Sequence, residues 1–146
     1  MNQQLNGTVR KYAARGIDHV GFAVRDIEKT TRFYVEELGM TRDGEPVELV
    51  GQDTLVQFLG AGDDKLELLM PTSDAGPLVR FLEKRGEGLH HVCYDVGDIH
   101  AAVEGLVGHG VRMIDAEPWR SPHGWVAYIH PASAHGCAIE LREHYI

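Results

Sequence analysis

The sequence predicts an α+β fold made of two copies of one βαβββ unit, and three observations carry that expectation. His19-Val20-Gly21-Phe22-Ala23-Val24, followed by Asp26-Ile27, reads onto His91-Val92-Cys93-Tyr94-Asp95-Val96, followed by Asp98-Ile99, 72 residues later with the spacing kept. Leu66-Glu67-Leu68-Leu69 reads onto Ile139-Glu140-Leu141-Arg142 at an offset of 73 residues. Each copy also passes from a β-favouring run, through an Asp suited to capping a helix, into a stretch of helical character. Self-similarity at a fixed offset marks a duplicated supersecondary unit.

The elements follow in order. In the first copy Asp26 caps a helix from Ile27 to Leu38, and Gly39 stops it. Strands are expected over 41–50, 54–59 and 65–69, separated by turn signals at Gly51 and across Gly60-Ala61-Gly62-Asp63-Asp64. Pro77 suits a helix first turn, so 78–84 forms a linking helix ended by Gly86. In the second copy a helix over 99–106 precedes Gly108 and Gly110, and strands are expected over 111–116, 125–130 and 136–142. The expected organisation is an N-terminal arm at 1–15 and a single domain at 16–146. Within that domain, module one covers about 16–72, the linking helix about 77–86 and module two about 88–143.

A chain of 146 residues suits one domain, burying roughly two-thirds of its unfolded surface. The formal net charge of −8 argues against nucleic acid, whose phosphates require a basic face. No apolar run approaches the roughly 18 residues of a membrane span, and the opening MNQQLNGTVRKYAARG has no uninterrupted apolar core of a secretion signal. A cytoplasmic protein is expected. Cys93 and Cys137 lie in strand-like apolar runs, which suits buried reduced thiols better than a disulfide framework.

Strand side chains alternate between faces, so His19, Gly21 and Ala23 share one face and Val20, Phe22 and Val24 the other. The bulky face should pack on helices, leaving His19 on a wall of small residues. The same division places His91 with Cys93, Glu67 opposite Leu66 and Leu68, and Glu140 opposite Ile139 and Leu141. Singly, a strand His or Glu is more often a structural or solvated group than a ligand. Together, two imidazoles and two carboxylates at repeat-related positions in apolar strands are costly unless a cation compensates them. His90 falls on the face opposite His91, and His130 before Pro131 reads as a structural turn residue. His123 is a candidate for the border of a substrate mouth, while His100, His109, His135 and His144 have no metal-binding spacing.

Asp18-His19-Val20-Gly21, Glu67-Leu68-Leu69-Met70-Pro71, Gly86-Glu87-Gly88-Leu89-His90-His91-Val92 and His130-Pro131 followed by Ala138-Ile139-Glu140-Leu141 resemble the vicinal oxygen chelate superfamily. Within it, they are most similar to the methylmalonyl-CoA epimerases. The resemblance runs from about Gly16 to Glu143. It implies a curved mixed sheet around one divalent metal held by His19, Glu67, His91 and Glu140. Mixed nitrogen and oxygen donors suit Co, Mn, Ni, Fe or Zn without selecting among them.

The implied reaction is proton abstraction next to a carbonyl with a metal-stabilised enolate, on an acyl-CoA, in a homodimer. Glu140 is implied as one proton-transfer group, and Glu48 is the candidate for the second. The family's second Glu aligns without gaps with Gly51, leaving Glu48 close in sequence. The family's His-Pro-Lys-Ser stretch here reads His130-Pro131-Ala132-Ser133, so a phosphate-contacting Lys is missing. Lys84, Arg85 and Arg120 remain candidates for a local basic patch. The competing readings are a glyoxalase-I-like lactoylglutathione lyase with the same metal shell and a non-catalytic antibiotic-binding protein. Retention of all four ligand positions weighs against the latter. An extradiol dioxygenase generally uses three protein ligands, so Glu67 counts against it.

Overall fold

A computed structural model describes residues 13–146, so most of the expected arm lies outside the described residues. The elements are β1 (Ala14–Ala23), α1 (Ile27–Arg32) continued by a π turn (Phe33–Glu37), β2 (Thr41–Leu49), β3 (Thr54–Ala61) and β4 (Asp64–Pro71). After them come α2 (Pro77–Arg85), β5 (Gly88–Val96), α3 (Ile99–Gly108), β6 (Trp119–Ser121), β7 (Gly124–Ile129), a 3-10 turn (Pro131–Ser133) and β8 (Ala138–His144). This is βαβββ twice with α2 between the copies, an α+β chain as the repeat predicts. The repeat-related Asp side chains cap their helices: Asp26 Oδ1 accepts from the backbone of Lys29 and Asp98 Oδ1 from that of Ala101, both at 3.0 Å.

Two expectations are corrected. β1 starts at Ala14, inside the stretch read as an arm. The strand expected over 111–116 is reduced to one bridge between Met113 and Ile129, flanked by Ile114 N donating to Tyr128 O and His130 N to Arg112 O. Pro118 lacks a backbone donor, and the chain bends before regular pairing resumes as β6.

The chain divides into two compact units, Asp18–Cys93 and the remainder, with the boundaries inside β1 and β5. In Asp18–Cys93 the strands run in the order β2-β3-β4-β1-β5. β1 pairs with β4 in parallel, Gly21 opposite Glu67, while β3 pairs antiparallel with both β4 and β2. This sheet is therefore mixed. One face carries Leu59, Leu66 and Leu68 against Val24 and Ile27 at the start of α1. The other carries Ala23, Val56 and Leu69 beneath Leu78 and Leu82 of α2. A bulge in β2 between Asp43 and Val47 is tied down by the fully buried Gln57, whose amide nitrogen donates to Gly44 O at 3.1 Å.

Leu68 has no exposed surface and lies at the centre of the α1-side cluster. Leu68→Ala should lower unfolding free energy by about 2–5 kcal/mol, read from the denaturant midpoint of the purified protein. A loss below that range would mean that α1 collapses onto the vacated space.

In the second unit β8, β7 and β6 form consecutive antiparallel pairs, with Tyr128 opposite Glu140 and Val126 opposite Arg142. Val96, Ile99, Ala102, Val103, Ala127 and Leu141 form its core. Among the described residues no helix is long and apolar enough to cross a membrane.

Candidate metal centre

Three of the four candidate ligands lie in the Asp18–Cys93 unit, and the structure brings them together. β1 lies between β4 and β5, so His19 on β1, Glu67 on β4 and His91 on β5 reach one point from three adjacent strands. His19 Nε2 is 3.1 Å from His91 Nε2, and the Glu67 carboxylate oxygens lie 3.7 Å from the first and 3.4 Å from the second. All three residues are buried, at 1%, 3% and 7% exposure. Two imidazole nitrogens and a carboxylate converging from buried positions form a donor set that fits a divalent metal ion.

The neighbours explain how the convergence is built. Gly21 sits opposite Glu67 and two residues along β1 from His19. A Cβ on Gly21 would lie 2.5 Å from His91 Nδ1 and 2.8 Å from its Nε2, so the ring occupies the volume a side chain would need. The small-residue wall expected from alternation is thus a seat for His91. It does not extend along the whole strand, because Ala23 on the same face is covered by α2. Phe58, opposite Glu67 on β3, presents its ring edge to edge-on contact with His19 at 5.6 Å between centroids.

Each histidine is also held at its other ring nitrogen by the residue before it. Asp18 Oδ2 lies 2.7 Å from His19 Nδ1, and His90 Nδ1 lies 2.9 Å from His91 Nδ1. The ring of His90 meets Phe81 of α2 edge-on, with centroids 4.9 Å apart. Alternation along a strand had set His90 apart from the site, yet its ring reaches round to its neighbour. Cys93 was also not selected from sequence. Its Sγ lies within 4.8 Å of an Asp18 carboxylate oxygen and a His19 ring nitrogen, and it is a fully buried thiol.

Glu48 is not brought to this centre. It pairs with Leu55, whose side chain packs in the cluster on the α1 face, whereas Glu67 pairs with Phe58 and shares the α2 face with Val56 and Leu69. The Glu48 carboxylate is exposed and accepts from Thr72 Oγ1 at 3.4 Å. Side chains repeat every two residues, so the β2–β3 register places Glu48 on the wrong side of the sheet.

In the second unit Glu140 is 2% exposed on β8, and Arg142, two residues along the same face, donates from Nη2 to Glu140 Oε1 at 3.1 Å. The sequence signal for this pair was the alternation itself, but Arg142 was read only as the end of a strand. His130 is structural as expected: its Nδ1 accepts from Ala132 N at 3.0 Å. Ser133 of the same stretch accepts from Arg112 N at 3.1 Å. His100 lies with Asp98 and Glu143, their ligand-type atoms within 4.8 Å of one another. Both carboxylates there are engaged at the start of α3, Asp98 with Ala101 N and Glu143 with Ile99 N. His123 is exposed in the turn between β6 and β7. Cys137 is half-buried, short of the full burial expected. Arg85 packs over Phe81 in one unit; in the other Arg120 packs over Trp125 and Tyr145.

Known proteins resemble this chain in sequence and fold. The chain is 34% identical over 142 residues to the mitochondrial methylmalonyl-CoA epimerase of Dictyostelium discoideum, covering 96% of this chain and 85% of that protein. It is 36% identical to the ethylmalonyl-CoA/methylmalonyl-CoA epimerase of Cereibacter sphaeroides, covering 87% and 96%. A solved structure of a Streptomyces coelicolor methylmalonyl-CoA epimerase variant in complex with 2-nitronate-propionyl-CoA superposes with a TM-score of 0.83 at 28% identity. That match covers 92% of this chain and 100% of the other. Residues 18–128 match the family described as the Glyoxalase/Bleomycin resistance protein/Dioxygenase superfamily, and the chain belongs to that superfamily.

Proposed function

We propose that this protein is a metal-dependent epimerase of methylmalonyl-CoA. The convergence of His19 Nε2, His91 Nε2 and the Glu67 carboxylate carries this reading, in a chain whose relatives are epimerases of that substrate. His19, Glu67 and His91 hold a divalent cation, and Glu140 is carried forward as the fourth ligand by its repeat equivalence to Glu67. When bound, such a cation stabilises negative charge that develops on oxygen as a proton leaves the neighbouring carbon.

The protein's own residues supply orientation and proton handling. Asp18 and His90 hold the outer nitrogens of the two imidazoles, so their inner nitrogens share one direction. Glu140, kept in one orientation by Arg142, is the group that takes or returns the C2 proton. Glu48 is the sequence candidate for its counterpart, and its pairing with Leu55 weighs against that role. The chain acts on an acyl-CoA in this reading, supported by the names of its relatives, and as a cytoplasmic homodimer by the expectations from sequence alone. The domain is read as the expected 16–146, extended by the start of β1 at Ala14.

The test uses protein loaded with Co(II) or Mn(II) in deuterated water with methylmalonyl-CoA, following the C2 proton signal by NMR against a metal-free control. Metal-dependent loss of that signal is expected. Bound metal without exchange would remove the substrate assignment and favour hemithioacetals, the substrates of a lactoylglutathione lyase.

A further inference from the structure

We infer that His90 is a positioning residue that selects the tautomer of His91, and so decides whether His91 Nε2 can take a metal ion. The inference rests on the reading of His19, Glu67 and His91 as ligands, and adds a residue outside that set. A neutral imidazole carries one N–H, and only its other nitrogen has a lone pair to give. With His91 protonated at Nδ1, that N–H donates to His90 Nδ1 across 2.9 Å, and His91 Nε2 presents a lone pair towards His19 and Glu67. With the roles reversed, His90 donates, and the His91 proton sits on Nε2, facing the Glu67 carboxylate 3.4 Å away and closed to a cation.

The same position in the first copy of the repeat holds a different group. Asp18 precedes His19 as His90 precedes His91, and its carboxylate oxygen lies 2.7 Å from His19 Nδ1. An ionised carboxylate only accepts, so Asp18 fixes the His19 N–H at Nδ1 under all loading states. An imidazole both donates and accepts, so His90 can hold either arrangement of His91, and only the one in which His90 accepts leaves His91 Nε2 open to a cation. His90 is itself held in place: its ring stands edge-on to Phe81, which extends from α2 beside Leu78 and Leu82. A chain of contacts thus runs from the packing of α2 to the ligand nitrogen.

Two variants separate the hydrogen bond from the packing. His90→Phe keeps an aromatic ring against Phe81 and removes Nδ1; His90→Asn offers an amide oxygen near the position of Nδ1. Dissociation constants for Zn(II), from chelator competition, should rise by about 10–100-fold in His90→Phe and return to within a few-fold of the parent in His90→Asn. In the Zn-loaded parent, long-range proton–nitrogen NMR of labelled histidines should show His91 protonated at Nδ1. Parent-like affinity in a folded His90→Phe, or a loaded His91 protonated at Nε2, overturns the inference alone. A parent protein that binds no Zn(II) at all removes the metal-site reading and this inference with it.

Discussion

Gly21→Ala should abolish tight metal binding while leaving a folded, measurably weakened protein. The backbone itself accepts alanine here, because Gly21 is absent from the positive-φ glycines. The three nearest atoms all belong to the His91 ring, and each lies within 3 Å of the new methyl position. His91 is 3% exposed and held at Nδ1 by His90, so a ring pushed aside loses its contact with His90, its approach to Glu67, or both. Overpacking of this kind costs about 1–3 kcal/mol of stability, and the displaced Nε2 should weaken Zn(II) or Co(II) binding by roughly 100-fold or more, a displaced ligand costing at least as much as a lost outer partner. Gly16→Ala is the control, since a methyl there meets nothing within 4 Å. Chelator competition and thermal melts on both variants decide the matter. Unchanged affinity in Gly21→Ala would mean that the seat for His91 is not what builds the centre.

The second large effect is stabilisation by the metal itself. A ligand that binds only the folded state at about 100 times its Kd adds about 2.7 kcal/mol, which for a chain of this size raises Tm by on the order of 5–10 °C. That rise should appear when Co(II) or Mn(II) is added to the metal-free protein and vanish on chelation. It should be largely lost in Glu67→Ala. Glu67 lies within 3.7 Å of both imidazole Nε2 atoms and supplies the only carboxylate seen beside them in the Asp18–Cys93 unit apart from Asp18, which contacts His19 on its outer nitrogen. Removing Glu67 takes one of the two carboxylates from the proposed ligand set, leaving the imidazoles and Glu140 with less negative charge to offset the lost hydration of a divalent ion. A full thermal shift in Glu67→Ala would place the metal elsewhere on the protein and detach the proposed chemistry from these residues.

Much of the fold is legible from local patterns along the chain. The 72-residue repeat announced two βαβββ copies, and Asp26 and Asp98 marked the helix starts, because a cap acts on the amides just ahead of it. Alternation correctly grouped His19 with Gly21 and set Glu67 opposite Leu66 and Leu68, because the two-residue period is a property of a single strand. The remainder depends on register between strands and on the reach of side chains. Glu48 was close to the right place in sequence, but the turn from Leu49 to Thr54 sets its pairing with Leu55, and a one-residue difference in pairing would reverse its face. The contact of His90 with His91 and the role of Gly21 arise from how a ring on β5 lies across β1, which no pattern within either strand encodes. Local chemistry writes caps, turns and periods into neighbouring residues, whereas a site made by three strands is fixed only when their registers are.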